Sequence, residues 1–147
     1  MITLAPSPPP ARPDTIRTAI ENAIGTLEGP PDLIVINDPQ RGTQTETVLA
    51  PLVEQYRFPP PSILVACGSH SFSETEKTVF TSRFSRWFSP GVFLWHDARA
   101  SNLVPLEGPE PWQAHPALAG ARRILAVGSV EPHYFAGLSG AHKTLTI

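Results

Sequence analysis

Leu33-Ile34-Val35-Ile36-Asn37-Asp38-Pro39-Gln40-Arg41 is the stretch whose reading decides the fold. Four apolar residues run on without polar alternation, and the chain then turns polar around a proline. A strand wetted on one face alternates apolar with polar, whereas one buried on both faces does not. The stretch therefore reads as an interior strand of a parallel sheet, delivering polar residues just past its carboxyl end. Three more runs share the form. Ile63-Leu64-Val65-Ala66 leads into Cys67-Gly68-Ser69-His70, and Val92-Phe93-Leu94-Trp95 leads into His96-Asp97. Ile124-Leu125-Ala126-Val127 leads into Gly128-Ser129-Val130-Glu131-Pro132-His133.

Between these runs lie helical patterns. Ile16, Ala19, Ile20, Ala23, Ile24 and Leu27 recur at helical spacing over residues 14–27, behind Asp14 as an N-cap. Thr43-x-x-Glu46 and Ser73-x-x-Glu76 both have capping-box form. The first precedes Val48, Leu49, Leu52, Val53 and Tyr56, with Pro51 predicting a kink or a late start. The second precedes Val79, Phe80, Phe84, Trp87 and Phe88. Residues 98–118 carry little periodicity and read as a long loop in place of one crossover helix. Strands alternating with helices predict an α/β fold: three layers, Rossmann-like, with a mostly parallel sheet of about four or five strands flanked by helices.

Composition narrows the function. Of 147 residues 18 are proline, and those in residues 6–13 give an extended Pro-rich arm over 1–13, ahead of a single α/β domain over 14–147. The remaining prolines mostly separate the predicted units. A formal charge of −2 leaves no basic footprint for nucleic acid. The single cysteine, Cys67, excludes an internal disulfide and a multi-thiolate metal site. No apolar run approaches the roughly 20 residues of a membrane helix, and no signal pattern opens the chain. A cytoplasmic setting without a membrane is expected.

In open α/β sheets ligands bind beyond the carboxyl ends of the strands. The four post-strand stretches would crowd His70, His96, His133, Asp38, Asp97 and Arg41 onto that edge. Two histidines on one edge suit a reaction needing two acid/base groups. Arg41 suits a carboxylate or phosphate through its planar fork, although Asp38 and Arg41 also read as a surface pair. His70 equally reads as a neighbour of the helix start at Ser73, and Asp97 as a turn residue. Cys67 reads as a small core residue. Gly137-Leu138-Ser139-Gly140-Ala141-His142-Lys143 lacks the glycine directly before lysine that a phosphate loop requires, and no dinucleotide glycine fingerprint is present. Its glycines and Lys143 suit an anionic group or a covalent link to the amine, or simply a flexible loop with a solvated lysine.

Gly128-Ser129-Val130-Glu131-Pro132-His133-Tyr134-Phe135-Ala136-Gly137-Leu138-Ser139-Gly140 resembles the signature of the nickel-pincer lactate racemase family. Asp38-Pro39-Gln40-Arg41 resembles that family's Asp-x-x-Arg turn, Gly68-Ser69-His70 its Gly-x-His turn, and His96-Asp97 also recurs there. The order matches from about the first helix to the last residue, the leading part of the family's N-terminal domain. The sequence departs from the family at Gly140-Ala141-His142-Lys143, where Gly-Gly-Arg-Lys is usual, and after His70, where a proline-threonine run is usual.

The resemblance implies an isomerase, a racemase or epimerase of a small 2-hydroxy acid. Its cofactor would be the nickel-pincer nucleotide, a pyridinium bisthiocarboxylate mononucleotide carrying nickel. By resemblance His70 and His133 are the paired catalytic acid/base groups, and Asp38, Arg41 and Lys143 bind the cofactor. Lys143 would do so through a thioamide, and Arg41 would also meet the substrate carboxylate. The family's nickel-ligand histidine and second domain lie downstream of the lysine, and no metal ligand is expected within these residues. The chain is thus expected to need a C-terminal domain or partner chain for turnover. The alternatives are an inactive nucleotide- or carboxylate-binding module and an assembly subunit.

Overall fold

A computed structural model describes residues 12–25, 29–55, 61–108, 111–133, 137–141 and 145. The helix α1 (Pro13–Gly25) leads to β1 (Leu33–Asn37), α2 (Thr45–Gln55), β2 (Ser62–Ala66) and α3 (Glu74–Ser82). A short 3-10 turn at Pro90–Val92 then enters β3 (Phe93–Trp95). There follow β4 (Val104–Pro105), β5 (Gln113–Ala114), α4 (Pro116–Gly120), β6 (Ile124–Val127), β7 (Glu131–His133) and β8 (Gly137–Ser139).

The expected α/β architecture holds. One sheet of four parallel strands runs in the order β3-β2-β1-β6, flanked by helices. All four apolar runs became its strands, each within a residue of its predicted position. Leu33 pairs with Ser62 on one side and Ile124 on the other, and Ile36 with Val65 and Val127. β1 is therefore bonded along both edges, and Leu33, Ile34, Val35 and Ile36 are each at most 1 % exposed.

Strand alternation divides the core between the two faces. Ile34, Ile36, Ile63 and Val65 face Ile20 of α1, Leu49 and Leu52 of α2, and the aromatic group Phe80, Phe84, Phe88 and Phe93. Leu33, Val35 and Leu64 point to the opposite face, where Ala117, Leu118 and Leu145 cover them. The phenylalanines meet edge-on or tilted, with Phe84 5.3 Å from Phe80 and 5.4 Å from Phe93 between ring centres.

The helices depart from expectation at their ends. α1 starts at Pro13, so Asp14 stands inside the first turn and is not the cap. Leu27 lies outside the described residues. α2 runs through Pro51 and starts at Thr45, because the hydroxyl of Thr43 bonds Asn37 and Ser129 instead of capping. Tyr56 of the same stripe lies outside the described residues. The box at α3 forms as expected: Ser73 Oγ accepts from the Glu76 amide, and Glu76 accepts from the Ser73 amide at 2.7 Å. Val79 nevertheless faces outward, 63 % exposed.

Residues 98–118 are not a bare loop. Val104 pairs with Ala114 and Pro105 with Gln113 in an antiparallel hairpin, and α4 follows. Two-residue strands and a five-residue helix are too short to leave a periodicity, so they escaped the reading. α4 is capped by His115, whose Nδ1 accepts from the Ala117 amide at 3.1 Å.

Removing the Phe84 ring should empty the middle of the aromatic group. Phe84→Ala is expected to cost about 3–5 kcal/mol, read as a fall in the urea midpoint at unchanged slope.

Candidate functional site

The chain leaves β1 toward β2 and β3 on one side and comes back to β6 on the other, so β1 and β6 border a topological switch point. In open α/β sheets the carboxyl edge beside such a point is where ligands bind. Asn37, Asp38 and Arg41 come to it from β1, and Gly128, Ser129 and Glu131 from β6. His70 arrives from the neighbouring β2.

Asp38 is nearly buried at 4 % exposure, and protein groups hold both its oxygens. The Gln40 amide donates to Oδ1 at 2.8 Å, and His70 Nδ1 lies 2.9 Å from Oδ2. The Asp38 carboxylate can only accept, so Nδ1 is the donor, and a ring carrying one proton keeps its lone pair on Nε2. The arrangement is that of a base oriented by a third group. Gly68 makes it possible. Its φ of +57° tightens the turn so that the His70 amide donates to the Cys67 carbonyl at 2.9 Å, returning the imidazole toward Asp38. A side chain at that angle would cost about 1–2 kcal/mol. Phe72 meets the His70 ring edge-on at 6.4 Å.

Asp38 and Arg41 do not form the surface pair that their spacing allows. Arg41 instead reaches Glu131, Nη1 to Oε2 3.5 Å. Glu131 accepts from Ser129 Oγ at 2.6 Å, Ser129 contacts Thr43 Oγ1 at 3.0 Å, and Thr43 accepts from Asn37 Nδ2 at 2.7 Å. Sequence reasoning assigned none of these four a part in the site. The available signal was that Asn37, Ser129 and Glu131 follow strand ends bordering the switch point, which only the strand order reveals.

Gly128 admits the far end of the chain. A Cβ there would stand 3.1 Å from Ala141 Cα and 3.4 Å from Asn37 Nδ2. The backbone just before Lys143 is thereby packed against the ends of β1 and β6. Lys143 lies outside the described residues. His133 closes β7, paired with Gly137 of β8.

The remaining sequence candidates take quieter parts. Cys67 is buried, and its thiol is pushed up to about 12 by burial and then by the Asp38 charge, which suits a core residue. Asp97 turns the chain, accepting from the Arg99 amide at 2.9 Å. His96 lines a cavity of about 250 Å³ with Trp112, His115, Ala66, Leu118 and Leu145, and its Nδ1 is buried without a hydrogen-bond partner. Among the described residues no three His, Cys, Asp or Glu side chains gather as a metal site would require, and no described helix is long and apolar enough to cross a membrane.

Burial holds both His96 and His115 below their ordinary pKa of 6.5, and His115 is lowered further by His96. The fold favours their neutral forms, so the unfolded chain takes up protons first as pH falls through that value. Stability is therefore full above it and declines below. Thermal melts between about pH 7.5 and 5.5 should show a falling Tm, and His96→Gln should flatten that slope.

The family model for the lactate racemase N-terminal domain matches residues 7–147, reaching back into the proline-rich stretch. A lactate racemase from Thermoanaerobacterium thermosaccharolyticum is 28 % identical over 148 aligned residues, which cover 90 % of this chain. The match spans 34 % of that relative's length. No solved structure matches. A match running nearly the whole length of the chain places it in a family: it belongs to the lactate racemase N-terminal domain family.

Proposed function

We propose that this chain is the leading segment of a racemase or epimerase acting on a small 2-hydroxy acid with a nickel-pincer nucleotide. The observation that carries the reading is the meeting of an Asp38-held His70 with Arg41 at the switch point, against the backbone that leads to Lys143. The described residues fit the organic part of such a group. The Arg41 fork, and the close approach at Gly128 of the backbone that leads to Lys143, suit an anionic nucleotide.

In this reading Lys143 holds the group covalently, and Arg41 takes its phosphate or the substrate carboxylate through paired N–H donors. Asp38, with both oxygens engaged by Gln40 and His70, contributes to cofactor binding through the shape of its turn while fixing the imidazole. Such a group, held by Lys143, Arg41 and Asp38, would supply reversible hydride-acceptor chemistry at the substrate carbon. His70 takes the hydroxyl proton at Nε2 for one hydroxyl orientation and gives it back on return. His133, in β7, does so for the other. Inverting a centre in both directions needs two such groups and a planar 2-keto acid between them. The nickel ligand comes from a C-terminal domain or partner chain, and the protein acts in the cytoplasm.

Lys143 is the direct test. After co-expression with the enzymes that make the cofactor, intact-mass measurement should show an adduct on Lys143 that Lys143→Ala removes. An unmodified lysine in a preparation free of nickel would sink the reading. Saturable nucleotide or lactate binding that Arg41→Ala abolishes, with no adduct and no racemisation, would mark a binding module instead.

A further inference from the structure

The side chains behind Glu131, the partner of Arg41, form a chain with a direction. Ser129 donates its hydroxyl proton to Glu131 Oε1 at 2.6 Å. A serine has only that proton to give, so the 3.0 Å contact between Ser129 and Thr43 is donated by Thr43. Thr43 in turn accepts from Asn37 Nδ2 at 2.7 Å. Every bond thus points the same way, from Asn37 through Thr43 and Ser129 to Glu131. Both hydroxyls accept as they donate, which strengthens each link. The series ends on a group that must accept, an ionised carboxylate, and its second oxygen faces the guanidinium of Arg41.

Arg41 and Glu131 are 45 % and 39 % exposed in their side chains, so the ion pair alone would hold little. The series behind it, which begins at Asn37 at the end of β1, helps to hold the carboxylate. Contact at one nitrogen leaves most of the five guanidinium donors for an outside oxyanion. We infer that Glu131 is a positioning residue: fixed by Asn37, Thr43 and Ser129, it holds the Arg41 guanidinium ready for an incoming carboxylate or phosphate. This rests on Arg41 being the anion binder.

The test uses the full chain and two probes, sodium L-lactate and inorganic phosphate. The Arg41 Nε–Hε resonance should show a restrained side chain in the parent protein. It should show a mobile one in Glu131→Gln and in Ser129→Ala, with order regained in Ser129→Thr, which keeps the hydroxyl. Both weakening variants should raise the Kd of the bound probe about fivefold, and the probe with the larger change distinguishes carboxylate from phosphate as the oxyanion. Unchanged order and unchanged Kd in both variants, with the fold intact, would overturn the inference. If the parent binds neither probe, or Arg41→Ala binds as well as the parent, the anion-binding reading fails. A loss of Arg41 order in Glu131→Gln would in that case still support the positioning role.

Discussion

The pairing of β1 along both its edges is the constraint on which the rest depends. Backbone groups of an interior strand must find partners on each side, and here β2 and β6 supply them in parallel register. Apolar side chains on both faces then require a layer above and a layer below. Helices α1, α2 and α3 and the aromatic group answer on one side, and α4 with Leu145 on the other. The carboxyl ends of β1 and β6 are left as the place where connections diverge. Asp32 fastens the opposite end: both of its oxygens engage Arg123 or the amides of Arg122 and Arg123. The Arg123 contacts hold its carboxyl below the usual carboxylate range.

That division gives the two ends of the sheet different tasks. The amino ends are locked by hydrogen bonds and an ion pair between Asp32 and Arg123. The carboxyl ends carry groups whose partners lie on other segments: Asp38 with His70, Arg41 with Glu131, Thr43 with Ser129. A site made of such cross-connections is oriented by the sheet and not by its own loops. Buried Asp38 beside half-exposed His70 illustrates the design, since the fixing group is inside and the imidazole it fixes is reachable from solvent.

The strands, and the sheet edge to which they deliver Asp38, Arg41 and His70, were legible in the sequence, because long apolar runs followed abruptly by polar residues have few other uses. The capping box at Ser73 was legible for a similar reason, being complete within four residues. Partnerships were not. Asp38 and Arg41 are three apart and looked paired, yet each is claimed by a residue much further along. Thr43 has capping spacing to Glu46, but Ser129, 86 positions away, competes for its hydroxyl and prevails. Such choices depend on strand order, to which local patterns are blind. The hairpin of β4 and β5 escaped because two-residue strands have no period to detect.

The pairing of Leu33 with Ile124 has a consequence for the order in which the molecule comes into being. β1 and β2 can associate early, separated by one helix, and bury the aromatic side of the sheet. The switch point, however, has only one of its two strands until β6 closes a loop of some ninety residues, a step that costs chain entropy before it returns any contact. Asp38 and His70 can meet in that half-made sheet, whereas Arg41 waits for Glu131 and Thr43 for Ser129. During synthesis the Arg41–Glu131 pair and the Thr43–Ser129 contact are thus among the last features to form, only after the sheet that supports them is complete.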